Sequence, residues 1–323
     1  MLAIGDAVVD VIARADDSFL VEEGLIKGSM QVLDADGATR LYARMRQARE
    51  TSGGSAANTM AGLAALGGRA GFVGQVADDQ LGEIFSHDIR ALGVEFLTPP
   101  RADGLPTGRC LILVTPDAQR TMNTFRGAAH ELSADALDPD QIRDSALLYL
   151  EAYLWRSAGP REAMREALRI AHAAGRKVAL TLSDIACIGP HRDDFLALID
   201  GGGLDLLFAN EAEIKSLTEA PTREAAIDAL VDRVPLLVVT CGADGAIAVA
   251  GDRRVSVPAA RIGRGVVDTT GAGDLFAAGF LYGHSRGRAL VDSLRIGAIA
   301  AAEVISHFGA RPEADLKALV AKL

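Results

Sequence analysis

The chain has 323 residues, of which 49% are hydrophobic and 24% are charged. This composition excludes a wholly disordered protein, and the length allows one large domain or one domain with a smaller companion. The 43 acidic residues outnumber the 33 basic ones, and the resulting net charge of −10 argues against a protein that coats nucleic acid.

Neither the apolar runs nor the cysteines indicate a membrane or secreted protein. No apolar stretch approaches the roughly 18–20 residues of a membrane span. The three cysteines, Cys110, Cys187 and Cys241, lie far apart and have no zinc-type spacing, which is typical of thiols in a reducing compartment. We therefore expect a cytoplasmic protein with neither a membrane nor a nucleic acid as its partner.

Strand-like apolar runs alternate with helical patterns along most of the chain. The predicted strands are 3–13, 69–76, 110–115, 120–125, 146–150, 177–182, 204–209, 236–240, 246–249 and 254–257. The predicted helices are 36–49 (with Asp36 as its cap), 56–66, 78–92, 161–173, 191–199, 211–217, 223–231, 271–283, 289–306 and 313–323. Uniformly apolar strands separated by helices predict an α/β fold, doubly wound in three layers around a mostly parallel central sheet.

Two separated stretches break this alternation. Residues from about 11 to 35 and from about 95 to 126 have strand signals without an intervening helix, and 116–119 has the composition of a hairpin turn. We predict that these stretches pair into a small sheet standing on the main domain, within a single domain that spans 1–323.

The strongest chemical signal is the segment 268–274, DTTGAGD, which leads into an apolar helix. Gly271 and Gly273 can adopt backbone angles closed to other residues, so successive N–H groups, with that of Ala272, can point into one concavity. A concavity at a helix N-terminus favours phosphate. Asp274 would repel a bound phosphate, but it is well placed to accept a proton from a hydroxyl that attacks one. A plain turn with Asp274 as a helix cap is the alternative.

Three patterns in the first half could bind a sugar and a phosphate. Gly53 and Gly54 precede a helix and would let a ligand contact the backbone, while the Asn58 amide can donate to and accept from hydroxyls. Asp10 lies at the end of the first strand, where ligands bind in open α/β sheets, and suits vicinal ribose hydroxyls. Arg120 is the best-placed cation for phosphate charge. A packed turn, a solvated carboxylate and a surface arginine are the respective alternatives.

Two later strands end in polar residues. Asn210 and Glu213 share a helix face at the mouth of the sheet and could hold water around Mg²⁺, although a helix N-cap role for Asn210 fits equally well. The segment 240–245, TCGADG, could wrap a nucleotide or simply turn the chain into the next hairpin. The sequence has no GxxxxGK[ST] loop and no GxGxxG after the first strand, which disfavours a dinucleotide oxidoreductase.

Taken in this order, the motifs resemble the ribokinase-like (PfkB) family of carbohydrate and nucleoside kinases over essentially the whole chain. The stretch 53–58 looks like the first signature of that family and 268–274 like the second. The resemblance implies a β lid over the acceptor sugar, ATP and Mg²⁺, Asp274 as general base, an anion hole at 271–273, and sugar contacts from Asp10, Gly54 and Asn58. It also implies the nucleotide and metal contacts Asn210, Thr240, Gly242, Asp244, Gly245, Thr269 and, for Mg²⁺, Glu213.

Within the family, the stretches 120–129, 151–155 and 181–184 are similar to an adenosine-kinase-like branch found in bacteria. That similarity implies phosphorylation of a nucleoside 5′-hydroxyl, with adenosine as the acceptor and AMP as the product. A kinase for ribose, fructose or 2-keto-3-deoxygluconate is the alternative, and a non-catalytic nucleoside or sugar sensor on the same fold is a second one. The intact Asp274 favours an enzyme, because a sensor needs no base.

Several features stay open on the sequence alone. The side chains of Val8, Met30, Phe96 and Phe125 could wall a pocket for a base, and they fit the core of the small sheet equally well. A monovalent cation such as K⁺ could bind near the start of the segment 268–274. The chain could be a monomer or a homodimer.

Overall fold

The computed structural model describes residues 1–117, 119–261, 265–321 and 323. Its strands are, in chain order, β1 (Leu2–Ile4), β2 (Val8–Arg14), β3 (Met30–Val32), β4 (Arg49–Gly53), β5 (Ala70–Val73), β6 (Val94–Phe96), β7 (Gly108–Val114), β8 (Arg120–Phe125), β9 (Leu147–Glu151), β10 (Lys177–Thr181), β11 (Leu206–Asn210), β12 (Leu236–Thr240), β13 (Ala246–Ala250) and β14 (Arg253–Val257). Its α-helices are α1 (Asp17–Glu22), α2 (Ala35–Arg44), α3 (Ser55–Ala65), α4 (Gln80–Ala91), α5 (Pro139–Asp144), α6 (Ala158–Ala173), α7 (Ile185–Asp200), α8 (Glu211–Thr218), α9 (Arg223–Asp228), α10 (Ala272–Ser285), α11 (Leu290–Val304) and α12 (Leu316–Val320).

A large sheet forms the middle layer, with the strand order β14-β13-β12-β11-β10-β9-β1-β5-β6. The strands from β12 to β6 pair in parallel, whereas β13 and β14 join one edge as an antiparallel hairpin. Side chains alternate across this sheet. One set packs with α3, α4, α10 and α11, and the other set packs with α5 to α9. The predicted three-layer α/β fold with a mostly parallel sheet is confirmed.

A second, small sheet has the order β3-β8-β7-β2-β4. Strands β7 and β8 form the predicted antiparallel hairpin, and β2 pairs in parallel with β7. One face of this sheet is covered by α1 and α2, whose Leu20, Ala38 and Leu41 are buried against Val11 and Leu113. Because these helices cover that face, only the opposite face of the small sheet is open toward the large sheet.

The predicted bounds of the small sheet, 11–35 and 95–126, need correction. The sheet also contains Arg49–Gly53, a polar strand with no strong hydrophobic signal, whereas Val94–Phe96 belongs to the edge of the large sheet. The helix α1 lies within the first stretch, where none was expected. The predicted strand 3–13 is two strands, because the chain leaves the large sheet after Ile4 and enters the small one at Val8.

Other differences lie at element ends. Helix α2 begins at Ala35, with Asp34 and not Asp36 as its cap, because the Asp34 carboxylate accepts from the Gly37 N–H at 2.7 Å. Helix α7 begins at Ile185 and kinks at His191, directly after Pro190. No helix within the described residues combines the length and the apolar character needed to cross a membrane.

Candidate active site

A cavity of about 650 Å³ lies between the carboxyl ends of β10 to β12, the N-terminus of α10 and the open face of the small sheet. Most of the residues predicted for a site line it: Asp10, Gly54, Asn58, Arg120, Asn210, Glu213, Thr240, Thr269, Gly271, Ala272, Gly273 and Asp274. Gly53, Gly242, Asp244 and Gly245 do not line it. The strand ends and the small sheet thus bring residues from both halves of the chain to one cleft.

Asp274 lies in the first turn of α10 and is held by two side chains of α3. Its Oδ1 accepts from the Ser55 hydroxyl at 2.6 Å, and its Oδ2 accepts from the Asn58 amide at 2.9 Å. Burial raises the pKa of Asp274 above its ordinary value, and these two hydrogen bonds and the charge of Arg311 oppose the increase. A raised pKa makes the carboxylate a stronger base, and its orientation is fixed.

The backbone at the start of α10 has unused donors. Gly271 has φ +74° and caps the helix without any side-chain acceptor, and a Cβ there would lie 2.7 Å from the Cβ of Ala310. The N–H groups of Gly271 and Gly273 reach no acceptor within the described residues. The N–H of Ala272 lies 3.3 Å from the Thr269 carbonyl oxygen, so two of the three amides named for the anion hole have no partner among the described residues, and the anion hole itself stays a prediction.

Asp10 and the paired glycines form one packed unit. A Cβ on Gly53 would lie 2.6 Å from either carboxylate oxygen of Asp10, and a Cβ on Gly54, which has φ +95°, would lie 2.1 Å from the Asp6 carbonyl oxygen. Burial raises the pKa of Asp10 to about 6, and Arg311 opposes the increase most strongly. Gly53 therefore acts by giving the Asp10 carboxylate room, although it does not itself line the cavity.

Arg311 was not identified from the sequence. Its Nη1 donates to the Ala57 carbonyl at 2.8 Å, and its Nη2 donates to the Ser52 carbonyl at 2.8 Å and to the Ser52 hydroxyl at 3.0 Å. Burial lowers the pKa of Arg311 to about 10, while Asp10 and other acidic groups oppose that decrease. Arg311 thus donates hydrogen bonds to the chain on both sides of Gly53 and Gly54, and it places a positive charge near Asp10 and Asp274. No local pattern around 311 signals this role.

Glu151 is a second residue whose role the sequence did not reveal. It is fully buried at the end of β9, where Oε1 accepts from the Asp6 N–H and Oε2 from the Ala56 N–H, both at 2.6 Å. Burial raises its pKa well above the ordinary value, with a smaller contribution from Asp6. Through these two hydrogen bonds, Glu151 connects the segment between β1 and β2, where the chain passes from the large sheet to the small one, to the start of α3. An acidic residue closing an apolar strand was the available signal.

Arg120 joins the small sheet to the segment before α10. Its Nη1 lies 2.6 Å from Oδ1 of Asp268, which also accepts from the Thr270 N–H at 2.7 Å, while Oδ2 accepts from the Gly309 N–H at 3.0 Å. Arg120 lines the cavity as predicted for a phosphate contact, but its charge is shared with Asp268. Both oxygens of Asp268 are engaged by donors, and the K⁺ predicted near this residue stays a prediction.

Asn210 and Glu213 form a complete capping box at the start of α8. The Asn210 side chain accepts from the Glu213 N–H at 2.9 Å, Glu213 accepts from the Asn210 N–H at 2.9 Å, and Asn210 Nδ2 donates to Glu213 at 2.7 Å. The N-cap alternative for Asn210 is therefore what the fold uses. Burial raises the pKa of Glu213 to about 7.

The same residues fit Mg²⁺ only through water. Each Glu213 oxygen already accepts one hydrogen bond and keeps a further lone pair. No group of three or more His, Cys, Asp or Glu side chains is arranged to hold a metal directly in the part of the chain that the structure describes. Mg²⁺ keeps several of its waters in such sites, so Glu213 and Asn210 at the cavity wall are compatible with a water-mediated ion.

The segment 240–245 reaches the cavity only at its first residue, Thr240. Gly242–Asp244 is a short 3₁₀ turn, and the carboxylate of Asp244 lies 3.6 Å from Arg223. Gly245 has φ +94°, and a Cβ there would lie 2.0 Å from the Val257 carbonyl oxygen. The glycine at 245 is thus required by the hairpin itself, and nucleotide contacts at 242, 244 and 245 stay a prediction.

The predicted apolar walls divide into two groups. Val8 and Met30 line the cavity, together with Ile112 and Met122. Phe125 and Phe96 are 6% and 1% exposed and belong to the core, where Phe96 packs edge-on against Phe85 at 5.4 Å between ring centroids. The apolar surface that the small sheet gives to the cavity is therefore made of aliphatic side chains and methionines, whereas the aromatic lining residues Tyr153, Phe208 and Phe276 come from other parts of the chain.

Comparison with known proteins gives a consistent family. Residues 3–316 match the model of the pfkB family of carbohydrate kinases. The solved structure of an adenosine kinase from Sinorhizobium meliloti is 48% identical and superposes with a TM-score of 0.92, over 99% of this chain and 98% of that one.

Two curated relatives act on different acceptors. A 5-dehydro-2-deoxygluconokinase of Shouchella clausii is 30% identical, over 83% of this chain and 86% of that protein. A guanosine-inosine kinase of Escherichia coli is 29% identical, over 76% of this chain and 58% of that protein. All three relatives are phosphotransferases with a hydroxyl acceptor, and their acceptors include nucleosides and a sugar acid.

Proposed function

Because the chain belongs to the pfkB family of carbohydrate kinases, we propose that it transfers the γ-phosphoryl group of ATP to the 5′-hydroxyl of a nucleoside, with adenosine converted to AMP. One observation carries this proposal: the Asp274 carboxylate, oriented by Ser55 and Asn58, stands beside the unused N–H groups that begin α10. A base and an anion site in contact are what attack of a hydroxyl on a phosphate requires.

In this mechanism each residue has a defined task. The Asp10 carboxylate accepts hydrogen bonds from the ribose hydroxyls, and Asn58 holds both the sugar and Asp274. As the 5′-oxygen bonds to the γ-phosphorus, its proton passes to Asp274 and the bond to the β-phosphate oxygen breaks. The N–H groups of Gly271 and Gly273 stabilise charge on the transferred group. When bound, Mg²⁺ neutralises phosphate charge, and Glu213 would hold it through water.

The small sheet acts as the lid in this proposal. Its open face carries Asp10 and Arg120 and stands over the strand ends, so it covers the acceptor where the reaction takes place. Exclusion of water at that point strengthens the electrostatic interactions and limits hydrolysis of ATP. The positive charge of Arg120 lies at the same mouth of the cavity and favours an incoming polyphosphate.

The choice of a nucleoside rests on similarity to the S. meliloti adenosine kinase and on the aliphatic surface of the cavity. A sugar or sugar-acid acceptor is the second candidate, and the relative from S. clausii favours it. A non-catalytic sensor on this fold is disfavoured, because Asp274 has its hydrogen-bond partners and its neighbouring amides in place.

An ADP-release assay with a panel of acceptors tests the proposal. The panel contains adenosine, ribose, fructose and 2-keto-3-deoxygluconate, and a thermal-shift series with and without a non-hydrolysable ATP analogue runs in parallel. We expect adenosine to give ADP and AMP with the highest kcat/KM. A higher kcat/KM for a sugar would replace the nucleoside assignment, and stabilisation by adenosine without ADP release would indicate a sensor.

A further inference from the structure

Two arginines that the proposed chemistry does not use line the same cavity. Arg126 directly follows β8, and Arg156 ends the short 3₁₀ segment after β9. Both are half-buried. Within the described residues, neither guanidinium has a carboxylate oxygen within the 4.0 Å of an ion pair. Two cations at the cavity wall thus have no ion-paired carboxylate among the described residues.

Both arginines line the cavity, and they are close enough for the charge of Arg156 to act on Arg126. Burial and the positive charge of Arg156 both lower the pKa of Arg126, while Asp6, which also lines the cavity, opposes the decrease. Tyr153 lines the same cavity, and its hydroxyl donates to the Ser183 carbonyl at 3.3 Å. Partly desolvated charges without an ion-pair partner are costly, so this part of the cavity favours a ligand that brings hydrogen-bond acceptors.

The neighbouring wall is apolar and continuous. Met122 pairs in register with Met30 on one side and with Ile112 on the other, and all three line the cavity with Val8. A flat heteroaromatic base packs well against such side chains. A small sugar acid would place its hydroxyls against them and leave these groups unpaired. The wall therefore favours a base over a carboxylate as the partner of the arginines.

We propose that Arg126 and Arg156 bind the acceptor-rich edge of a purine base, so that the cavity takes the 6-oxopurine nucleosides inosine and guanosine in addition to adenosine. This inference rests on the proposed function. A guanidinium has donors and no acceptor. Hypoxanthine and guanine present O6 and N7 as two adjacent acceptors, a pattern that arginine binds through two hydrogen bonds. Adenine presents N7 beside an amino group, which is a donor.

Steady-state kinetics on three nucleosides test the assignment. The proteins are the wild type, Arg126→Met, Arg156→Met and, as a matched control, Arg143→Met, whose side chain is exposed on α5. We expect the wild type to phosphorylate inosine and guanosine with a kcat/KM at least about a tenth of that for adenosine. Loss of one two-bond contact should lower kcat/KM for inosine about tenfold or more, mostly through KM. For adenosine we expect a loss of at most about threefold, and the control should match the wild type.

A binding measurement keeps the test independent of turnover. Calorimetric titration of inosine into the Asp274→Asn variant should give a Kd that rises about tenfold when Arg156→Lys is added, because lysine keeps the charge but cannot make the paired contact. An unchanged Kd would overturn the inference. So would equal losses for adenosine and inosine in the methionine variants.

The outcomes separate the inference from the function on which it rests. Turnover of adenosine with none of inosine or guanosine removes the base-binding role of the arginines and leaves the nucleoside kinase intact. Absence of turnover with every nucleoside removes the proposed function itself. Turnover of 2-keto-3-deoxygluconate that both methionine variants abolish would mean that the arginines bind a carboxylate, which also overturns the inference.

Discussion

Helices α8 and α10 both begin at the carboxyl edge of the large sheet with an acidic residue in the first turn, yet their N-termini differ. In α8, the side chain of Asn210 accepts a hydrogen bond from the Glu213 N–H, and the side chain of Glu213 accepts one from the Asn210 N–H. In α10, the cap is Gly271, which has no side chain, and Asp274 is held by two residues of α3. The start of α8 is thus capped by hydrogen bonds between its own residues, whereas the start of α10 keeps free N–H donors.

The difference shows what makes a helix end available to a ligand. The dipole and the acidic residue are common to both ends, so neither feature distinguishes them. What differs is whether the cap residue supplies an acceptor for the first amides. An acidic side chain bonded to its own helix closes the end, and one bonded to a neighbouring helix leaves it open.

The largest effect should come from Asp274→Asn, which removes the base and keeps the shape. We expect kcat to fall about 10²–10⁴-fold, because the amide cannot take the proton of the attacking hydroxyl. The affinity for ATP, measured by calorimetry, should change only a few-fold. Retention of more than about a tenth of kcat would take the base role away from Asp274.

The matched control is Asp292→Asn, which changes an acidic residue in the first turn of another helix, α11. The Asp292 carboxylate lies 3.2 Å from Arg295 on the same helix and is partly exposed. Its removal should leave kcat near the wild-type value. An equal loss in both variants would mean that general surface charge, and not the contact with α3, governs the rate.

The second effect distinguishes the two glycines at the start of α10, the cap Gly271 and Gly273 in the first turn. Gly271→Ala forces an unfavourable φ and a Cβ contact at 2.7 Å with Ala310, so it should destabilise the fold by about 1–3 kcal/mol. A Cβ at Gly273 meets no atom within 4 Å. Gly273→Ala should therefore keep the melting temperature and raise the KM for ATP, because the added methyl group occupies the open space. Equal melting temperatures for the two variants would contradict this explanation.

The smallest effect is a pH dependence at the closed end of α8. Burial raises the pKa of Glu213 from its ordinary value of 4.5 to about 7, so the folded state holds the proton more tightly than the unfolded state. Its contribution to the free energy of unfolding is thus largest below about pH 4.5 and is lost as the pH rises through about 7. Glu213→Gln removes this loss and keeps a neutral capping side chain.

Thermal melts between pH 5 and pH 8 without nucleotide measure this contribution. The melting temperature of Glu213→Gln, taken as a difference from that of the wild type, should rise between pH 5 and pH 8 by on the order of 2 °C. Glu211→Gln, at the neighbouring and more exposed position, should differ from the wild type by a constant amount. A constant difference for Glu213→Gln as well would refute the buried-carboxylate explanation.

The sequence predicted the elements whose hydrophobic pattern is continuous. The strand 236–240 coincides with β12, and the hairpin of β7 and β8 differs by two residues at most. It could not predict β4, because Arg49–Gly53 is polar on a small sheet that is only partly buried. It also could not divide 3–13, because both pieces are apolar and periodicity does not report which sheet a strand joins.

Individual residues of the site could be predicted from the sequence, but the contacts between them could not. Asp274 and Asn58 were each visible in glycine-rich motifs, but the contact of Ser55 was not predicted, and more than 200 residues separate α3 from α10 in the chain. Arg311 could not be predicted, because its role comes from three oxygen acceptors on Ser52 of β4 and Ala57 of α3, which are far from it in the chain. Residues that act through long-range backbone contacts leave no local pattern.

The ion pair of Arg120 with Asp268 bears on how the proposed polyphosphate substrate would bind in the cleft. Nη1 of Arg120 lies 2.6 Å from an oxygen of Asp268, so an anion that takes this nitrogen must displace the carboxylate. Among the described residues, Asp268 would then keep the amides of Thr270 and Gly309 as its donors. Binding of a phosphate at this nitrogen would thus be an exchange of partners, and it would succeed only if the new contact is stronger than the ion pair that it replaces.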